Sequence, residues 1–282
     1  MVGSVDGVII VLWGAGELSM EASVEIAGTP FLLRSDDIYL EAIGSVFEPD
    51  MIALFRCFAK GTVLDIGANI GCTALAFSSM AATVHAFEPS PTTYELLRLN
   101  TAVAPNVIPH NYGLGAKNGS FELTFAPNNR SGGYISDKLK ASVGHTVERI
   151  ALRKLDRMVR SLKLRAVDFI KIDVEGFEGS VIKGGARTIR RFKPVVALEL
   201  NHWCLNAFQR TSVPDFLDTL RSVFPILYAV HGNTYQNLYD TDESYTVMHR
   251  HIVMMKYPTI VGAFHRHQLD VFEKSFIHAP AA

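Results

Sequence analysis

From residue 62 onward the chain alternates between short, nearly unbroken apolar runs and stretches whose apolar residues recur at helical spacing. The runs lie at 62–66, 83–87, 106–110, 167–172, 194–200 and 225–230. Continuous apolar runs of this length read as strands covered on both faces. The intervening periodicity predicts helices over 70–80, 91–103, 154–162, 178–190 and 213–223. Such alternation implies an α/β fold, a mostly parallel sheet with helices on both faces. A last run at 250–256 reads as another strand. The stretch before it, HGNTYQNLYDTDESYTVMHR, is turn-rich, so 225–230 and 250–256 are expected to close the sheet as an antiparallel hairpin.

Two regions break the rhythm. SFELTF at 120–125 and HTVERIAL at 145–152 read as strands around a loop at 126–144 rich in Gly, Ser and Asn. Its place after the third strand puts it near the ligand edge of such a sheet, as a substrate lid or as a disordered excursion. Ahead of the core, VIIVLWGAG at 8–16 reads as a packed strand ending in a Gly14-Ala15-Gly16 turn. VEIAG and PFLLR read as a hairpin, and 48–58 as a helix burying Met51, Leu54, Phe55 and Phe58. The expected plan is a cap over 1–60, a core domain over 61–258 with an insertion at 116–150, and an extension over 259–282.

Candidate chemistry sits where the strands end, because open parallel sheets bind ligands at their carboxyl edge. The first strand–turn–helix–strand unit reads VLDIGANIGCTALAFSSMAATVHAFE. Asp65 precedes the turn, Gly67 and Gly71 are four apart, and Glu88 closes the second strand near the offset at which an acid meets a ribose. A dinucleotide site needs a second glycine where this chain has Asn69, and Asp65 would repel a diphosphate. An acid there suits a ligand bearing an ammonium and a sulfonium, S-adenosylmethionine. Its carboxylate can use the helix N-terminus, its amino group Asp65, and its ribose Glu88.

Other polar residues end the later strands: Asn111 and Gly113 after the third, Asp173, Glu175 and Glu178 after the fourth, and Glu199 to His202 after the fifth. Asp173 is expected to face the sulfonium. Glu175, Glu199 and His202 are candidate proton acceptors. Their plainer readings remain open: Glu175 and Glu178 as acids favouring a helix N-terminus, Glu199 as a structural partner, His202 as a turn cap. His249 with His251 and His265 with His267 have no third ligand at suitable spacing, so no metal is expected.

Composition narrows the partners. The chain has 282 residues, 48% of them hydrophobic, with net charge -1 and pI near 6.8. It has no broad basic field, which points away from nucleic acid. The apolar run near the start is far shorter than a membrane span, so no membrane partner is expected. Cys57, Cys72 and Cys204 are few, scattered and set in apolar contexts, which fits reduced thiols and a cytoplasmic location.

Together, VLDIGANIG, HAFEP and IKIDVEGFE resemble the FkbM-type methyltransferases, a branch of the class I family that uses S-adenosylmethionine; the resemblance covers about 46–256. It implies a Rossmann-like sheet of seven strands in the order 3-2-1-4-5-7-6, the seventh antiparallel. It also implies methyl transfer to a hydroxyl on a small molecule or sugar. By that likeness Asp65, Gly67, Ala68, Asn69 and Gly71 line the methionine end of the cofactor. Glu88 and Pro89 lie at the ribose, Asn111 and Gly113 toward the adenine, and Asp173 beside the donor. The segment NYGLG departs from the acidic or amide pattern common next to adenine in the wider family. Two rival functions are N-methylation of a small amine and a non-catalytic module that binds an adenosyl ligand.

Overall fold

Three sheets organise the computed structural model, which describes residues 3–5, 8–13, 17–126, 128–139, 141 and 143–280, with side-chain surroundings from residue 20. β1 (Gly3–Val5), β2 (Val8–Trp13), β3 (Glu17–Ile26) and β4 (Thr29–Ser35) form an antiparallel sheet in that order. The expected VEIAG–PFLLR hairpin is the β3–β4 pair, turning at Ala27 and Gly28. Both have positive φ (54° and 88°), the backbone twist that a two-residue hairpin requires. The Gly14-Ala15-Gly16 turn lies outside the described residues.

The main sheet begins with β5 (Thr62–Ile66), β6 (Thr83–Phe87) and β7 (Val107–His110). The insertion follows as β8 (Gly113–Leu114), β9 (Gly119–Ala126), β10 (Asn129–Tyr134) and β11 (Thr146–Arg153). The chain then returns to the main sheet with β12 (Phe169–Ile172), β13 (Val195–Glu199), β14 (Ile226–His231), β15 (Thr234–Asn237), β16 (Thr259–Ala263) and β17 (Ile277–His278).

Nine strands run in the order β17-β15-β14-β16-β13-β12-β5-β6-β7. β16 is antiparallel to both β13 and β14, whereas β12 is parallel to both β5 and β13. The chain leaves β5 toward β6 on one side and β12 toward β13 on the other. Strand order therefore reverses between β5 and β12, the position where ligands gather in such sheets. Strand alternation sends Val63, Phe169 and Ala197 into one core with Phe55 and Phe77, and Leu64, Ile170 and Leu198 into the other with Phe216 and Leu220.

Three expectations need correction. Residues 250–256 are not a strand: helix Thr241–Met254 covers most of them. Its start is set by Asp240, whose side chain accepts hydrogen bonds from the Asp242 and Glu243 N–H groups, and its buried residues Ser244, Val247 and His251 recur at helical spacing. The antiparallel strand is β16, inside the segment expected to be a C-terminal extension, and β15 and β17 carry the sheet past the seven expected strands. The predicted helix 178–190 is two, Glu178–Gly184 and Ala186–Phe192, meeting at Gly185, where an added Cβ would overlap the Leu155 side chain.

The loop at 126–144 is no irregular excursion over residues 129–134. There β10 pairs with β9 in a small sheet of order β10-β9-β11-β8. Among the described residues no helix is long and apolar enough to cross a membrane.

Candidate active site

The glycine turn after β5 is held by the backbone. Gly67 and Ala68 both donate to the Phe87 carbonyl (3.1 and 3.0 Å), which ties the turn to the end of β6. Gly67 has φ +83°, and an added Cβ would overlap the carbonyl oxygen of Asp173, so β5 and β12 approach too closely there for any other residue. Asn69 also takes a left-handed conformation, φ 49°. Its N–H donates to Glu88 Oε2 (3.2 Å), while the Ser90 N–H donates to Glu88 Oε1 (2.8 Å). Glu88 is thereby fixed between the two loops, and burial above all pushes its carboxyl up to about 7. Each of its oxygens keeps capacity for one further donor, as a ribose requires.

Glu88 stands in a chamber whose walls are Phe87, Pro89, Gly113 and Leu114 from the sheet edge and Leu123, Phe125 and Leu152 from the insertion. Arg130 of β10 reaches the same chamber and is anchored outside it. Its guanidinium pairs with Asp36 (2.9 Å) and Glu148 (3.4 Å), its N–H donates to Asp37, and it lies over the Phe125 ring. At the other end of β10, Tyr134 stacks on Phe208 with ring centroids 3.9 Å apart, and Ser136 donates to the Phe208 carbonyl. The insertion is thus strapped across the cleft from the cap to the segment after β13.

Past the glycine turn the cleft continues into two adjoining cavities of about 200 and 300 Å³, which share Glu48, Met51, Phe55, Lys171, Asp173 and Glu199. Asp173, Glu175 and Glu199 each offer a carboxylate oxygen there, all within 4.8 Å of one another. That spacing is close enough for the three to hold one cation among them. The turn that aims Glu175 is tightly built. Glu175 (φ 53°) and Gly176 (φ 90°) are both left-handed, and a Cβ on Gly176 would overlap the Cys204 backbone. Glu178 accepts the Val174 and Gly176 N–H groups (3.1 and 3.2 Å), and burial pushes its carboxyl up to about 8; it closes the turn and does not reach the cleft. The Cys204 thiol donates to Glu175 Oε2 (3.1 Å). Burial first, and then the neighbouring acids, raise both Glu175 and Glu199 well above the ordinary carboxylate range. Glu199 accepts from Asn201 on one oxygen (3.3 Å), and its other oxygen is buried with no partner.

Several expected residues stand elsewhere. Asp65 is fully buried, accepts from Thr73 Oγ1 (2.6 Å) and pairs with Lys171 (3.6 Å), so its carboxylate serves the fold behind the turn and does not line the cleft. Asn111 donates back to the carbonyls of Glu88, Pro89 and Ser90, and the chamber wall on that side is Gly113 and Leu114. Gly71 packs against Leu97 and Thr101. His202 lines neither cavity; its N–H donates to His251 Nε2 (3.2 Å), and fully buried His251 pairs through Nδ1 with the Lys256 carbonyl (2.7 Å). His251 lies in a helix and not on the extended segment expected for it.

Lys171 is the residue the sequence reading missed. Its Nζ donates to the Gly67 carbonyl (2.9 Å) and lies 3.3 Å from Asp173 and 3.6 Å from Asp65. Burial opposes its charge, but Asp173 and Asp65 outweigh burial and hold the ammonium above its usual value. A lysine inside the apolar run FIKI, two residues before an acid, is the signal that could have found it.

Against known proteins, residues 65–236 match the methyltransferase FkbM domain model. The chain belongs to the FkbM methyltransferase domain family. Among relatives of this FkbM domain, hexuronic acid methyltransferase AglP of Haloferax volcanii is 33% identical over 152 residues, covering 53% of this chain and 61% of that protein. The 2-O-methyltransferase NoeI of Sinorhizobium fredii is 27% identical over 145 residues, covering 46% and 59%. The FkbM chain thus spans about three fifths of the length of these two relatives. A solved FkbM methyltransferase from Methylobacillus flagellatus superposes with TM-score 0.44 at 19% identity, covering 71% of this chain and 43% of that one.

Proposed function

We propose that this FkbM domain methylates a hydroxyl group of a sugar or other small molecule, using S-adenosylmethionine as donor. The observation that carries the reading is one cleft with two chemically different ends. A chamber with an apolar wall and one buried acid, Glu88, lies on one side of the Gly67–Asn69 turn, and an acid-lined space lies on the other. The residues fit the cofactor. Phe125 and Leu114 offer a purine an apolar wall, Glu88 has room for two ribose donors, and the turn puts backbone between ribose and acids. The names of AglP and NoeI, a hexuronic acid methyltransferase and a 2-O-methyltransferase, support a sugar hydroxyl as acceptor.

Bound there, the donor supplies a methyl on a sulfonium sulfur that keeps the electron pair as its bond to carbon breaks and the bond from acceptor oxygen to carbon forms. Asp173, beside the turn, offsets positive charge at that end of the cleft. Glu175, its carboxylate fixed by Cys204, takes the hydroxyl proton, and Glu199 orients the acceptor. Positioning supplies most of the acceleration in this arrangement. The test combines calorimetry with labelled methyl transfer to hydroxylated acceptors. Glu88→Ala should lose donor binding, and Glu175→Gln should lose turnover while keeping it. Equal loss of donor affinity in Glu175→Gln removes that residue's role as base.

A further inference from the structure

The amino-acid tail of the donor carries one carboxylate and one ammonium, so a site that grips it needs a hydrogen-bond donor and an acceptor there. Asp65, the acid expected to meet the ammonium, is engaged by Thr73 and Lys171 behind the turn. Lys171 is engaged as well, by the Gly67 carbonyl, Asp65 and Asp173. Both groups must come from another element.

The cavity of about 200 Å³ has two walls. One is the Gly67–Asn69 turn with Cys72 and Thr73; the other is the cap, from which Tyr39 and Glu48 face it. The Tyr39 hydroxyl lies against the Cys72 thiol, a weak acceptor that leaves its proton available. Burial above all, and then Cys72 and the neighbouring acids, hold that hydroxyl well above its ordinary pKa, so it stays a donor. Its backbone is fixed too. The Tyr39 N–H donates to Asp37 Oδ1 (3.0 Å), and Asp37 also accepts from Ser35 (2.7 Å) and from the Arg130 N–H (2.8 Å). Glu48 starts the helix Pro49–Arg56 and yet makes no capping hydrogen bond. Its φ of 32° is left-handed, uncommon for a residue with a side chain, and it lines both cavities. Burial and the Asp173 charge raise its carboxyl, and an ammonium beside it favours the ionised form. Both residues precede the segment 65–236 that matches the family domain.

Resting on the methyl-transfer reading above, we propose that the cap holds the amino-acid tail of the donor, the Tyr39 hydroxyl donating to its carboxylate and Glu48 accepting from its ammonium. Both are positioning residues, fixing the sulfur through the tail without touching the methyl. The cavity of about 300 Å³, with Glu199, Pro258 and Thr259, is left to the acceptor.

The test is calorimetry on the full chain with three compounds. S-adenosylhomocysteine has the whole tail, decarboxylated S-adenosylmethionine keeps the ammonium alone, and 5′-methylthioadenosine has neither group. Tyr39→Phe should weaken S-adenosylhomocysteine about tenfold, the scale of one hydrogen bond to a charged group, and leave the other two unchanged. Glu48→Gln should weaken the two compounds that carry the ammonium and spare 5′-methylthioadenosine. A merely structural role would weaken all three alike, which overturns the proposal, as does a variant that weakens none. A parent that binds all three equally removes only the clamp, whereas a parent that binds none removes the methyl-transfer reading itself.

Discussion

Replacing Lys171 with methionine removes the one ammonium that faces Asp65. The Asp65 side chain is 0% exposed and that of Lys171 only 6%, so no water enters to replace the lost charge. What stays is a carboxylate with one hydroxyl donor, Thr73, in an apolar layer between β5 and β12. Breaking a buried pair from one side costs about 3–5 kcal/mol. At roughly 2–4 °C per kcal/mol for a domain of this size, the midpoint of thermal unfolding should fall by about 6–20 °C. Asp173 contributes little to that loss, because its side chain is 46% exposed and water can take the place of the ammonium. The double variant Lys171→Met with Asp65→Asn removes the stranded charge and leaves Thr73 an oxygen to donate to. It should recover most of the stability, with a coupling of about 2 kcal/mol or more between the sites. Urea unfolding of the four proteins in the cycle gives the numbers. A single variant within about 1 kcal/mol of the parent, or a double variant whose loss is the sum of the two singles, refutes this account of the pair.

Three further outcomes follow from the same geometry. Gly67→Ala should lose donor binding by calorimetry and unfold earlier, since φ +83° alone costs about 1–3 kcal/mol and the new methyl meets the Asp173 carbonyl; unchanged affinity would contradict this. If Glu175 is the base, only its ionised form works, and burial with the nearby Asp173 charge holds it up to about 7. Then kcat/KM falls as pH drops through about 7, and Cys204→Ala, which removes a donor favouring the ionised form, should move that limb to higher pH. Glu178 keeps its proton in the folded state up to about 8, so its stabilising contribution is full below the ordinary carboxylate pKa and is lost as pH rises through about 8. Glu178→Gln should therefore gain on the parent in melting temperature between pH 6 and 9, and parallel curves would show that Glu178 does not hold this proton.

The parallel strands were legible because each is a short, nearly unbroken apolar run, interrupted at most by single residues such as Asp65, His85 and Lys171. β5, β6 and β13 lie within a residue or so of the pattern in the sequence. The miss at 250–256 has a physical source. Ile252, Val253, Met254 and Met255 are apolar yet exposed, so they imitate a strand, while the helix is set by Asp240 and by a buried histidine, His251. The acids at the strand ends were legible as a group, but their division of labour was not. Asp65, Glu178 and Glu199 look alike in sequence, and only packing shows that the first is neutralised by Lys171, the second closes a turn, and the third faces a cavity with an unused oxygen. The insertion's contribution to the chamber around Glu88 arises from contacts across long sequence separations, Arg130 with Asp36 and Tyr134 with Phe208, which no local pattern announces.

The most direct test is a crystal structure of the chain with S-adenosylhomocysteine, the demethylated product of the donor. The account predicts ribose hydroxyls within hydrogen-bond distance of Glu88, the purine against Phe125 and Leu114, and the sulfur on the Asp173 side of the Gly67–Asn69 turn. Ligand lodged away from Glu88, or a folded protein that does not take up the compound, would contradict it.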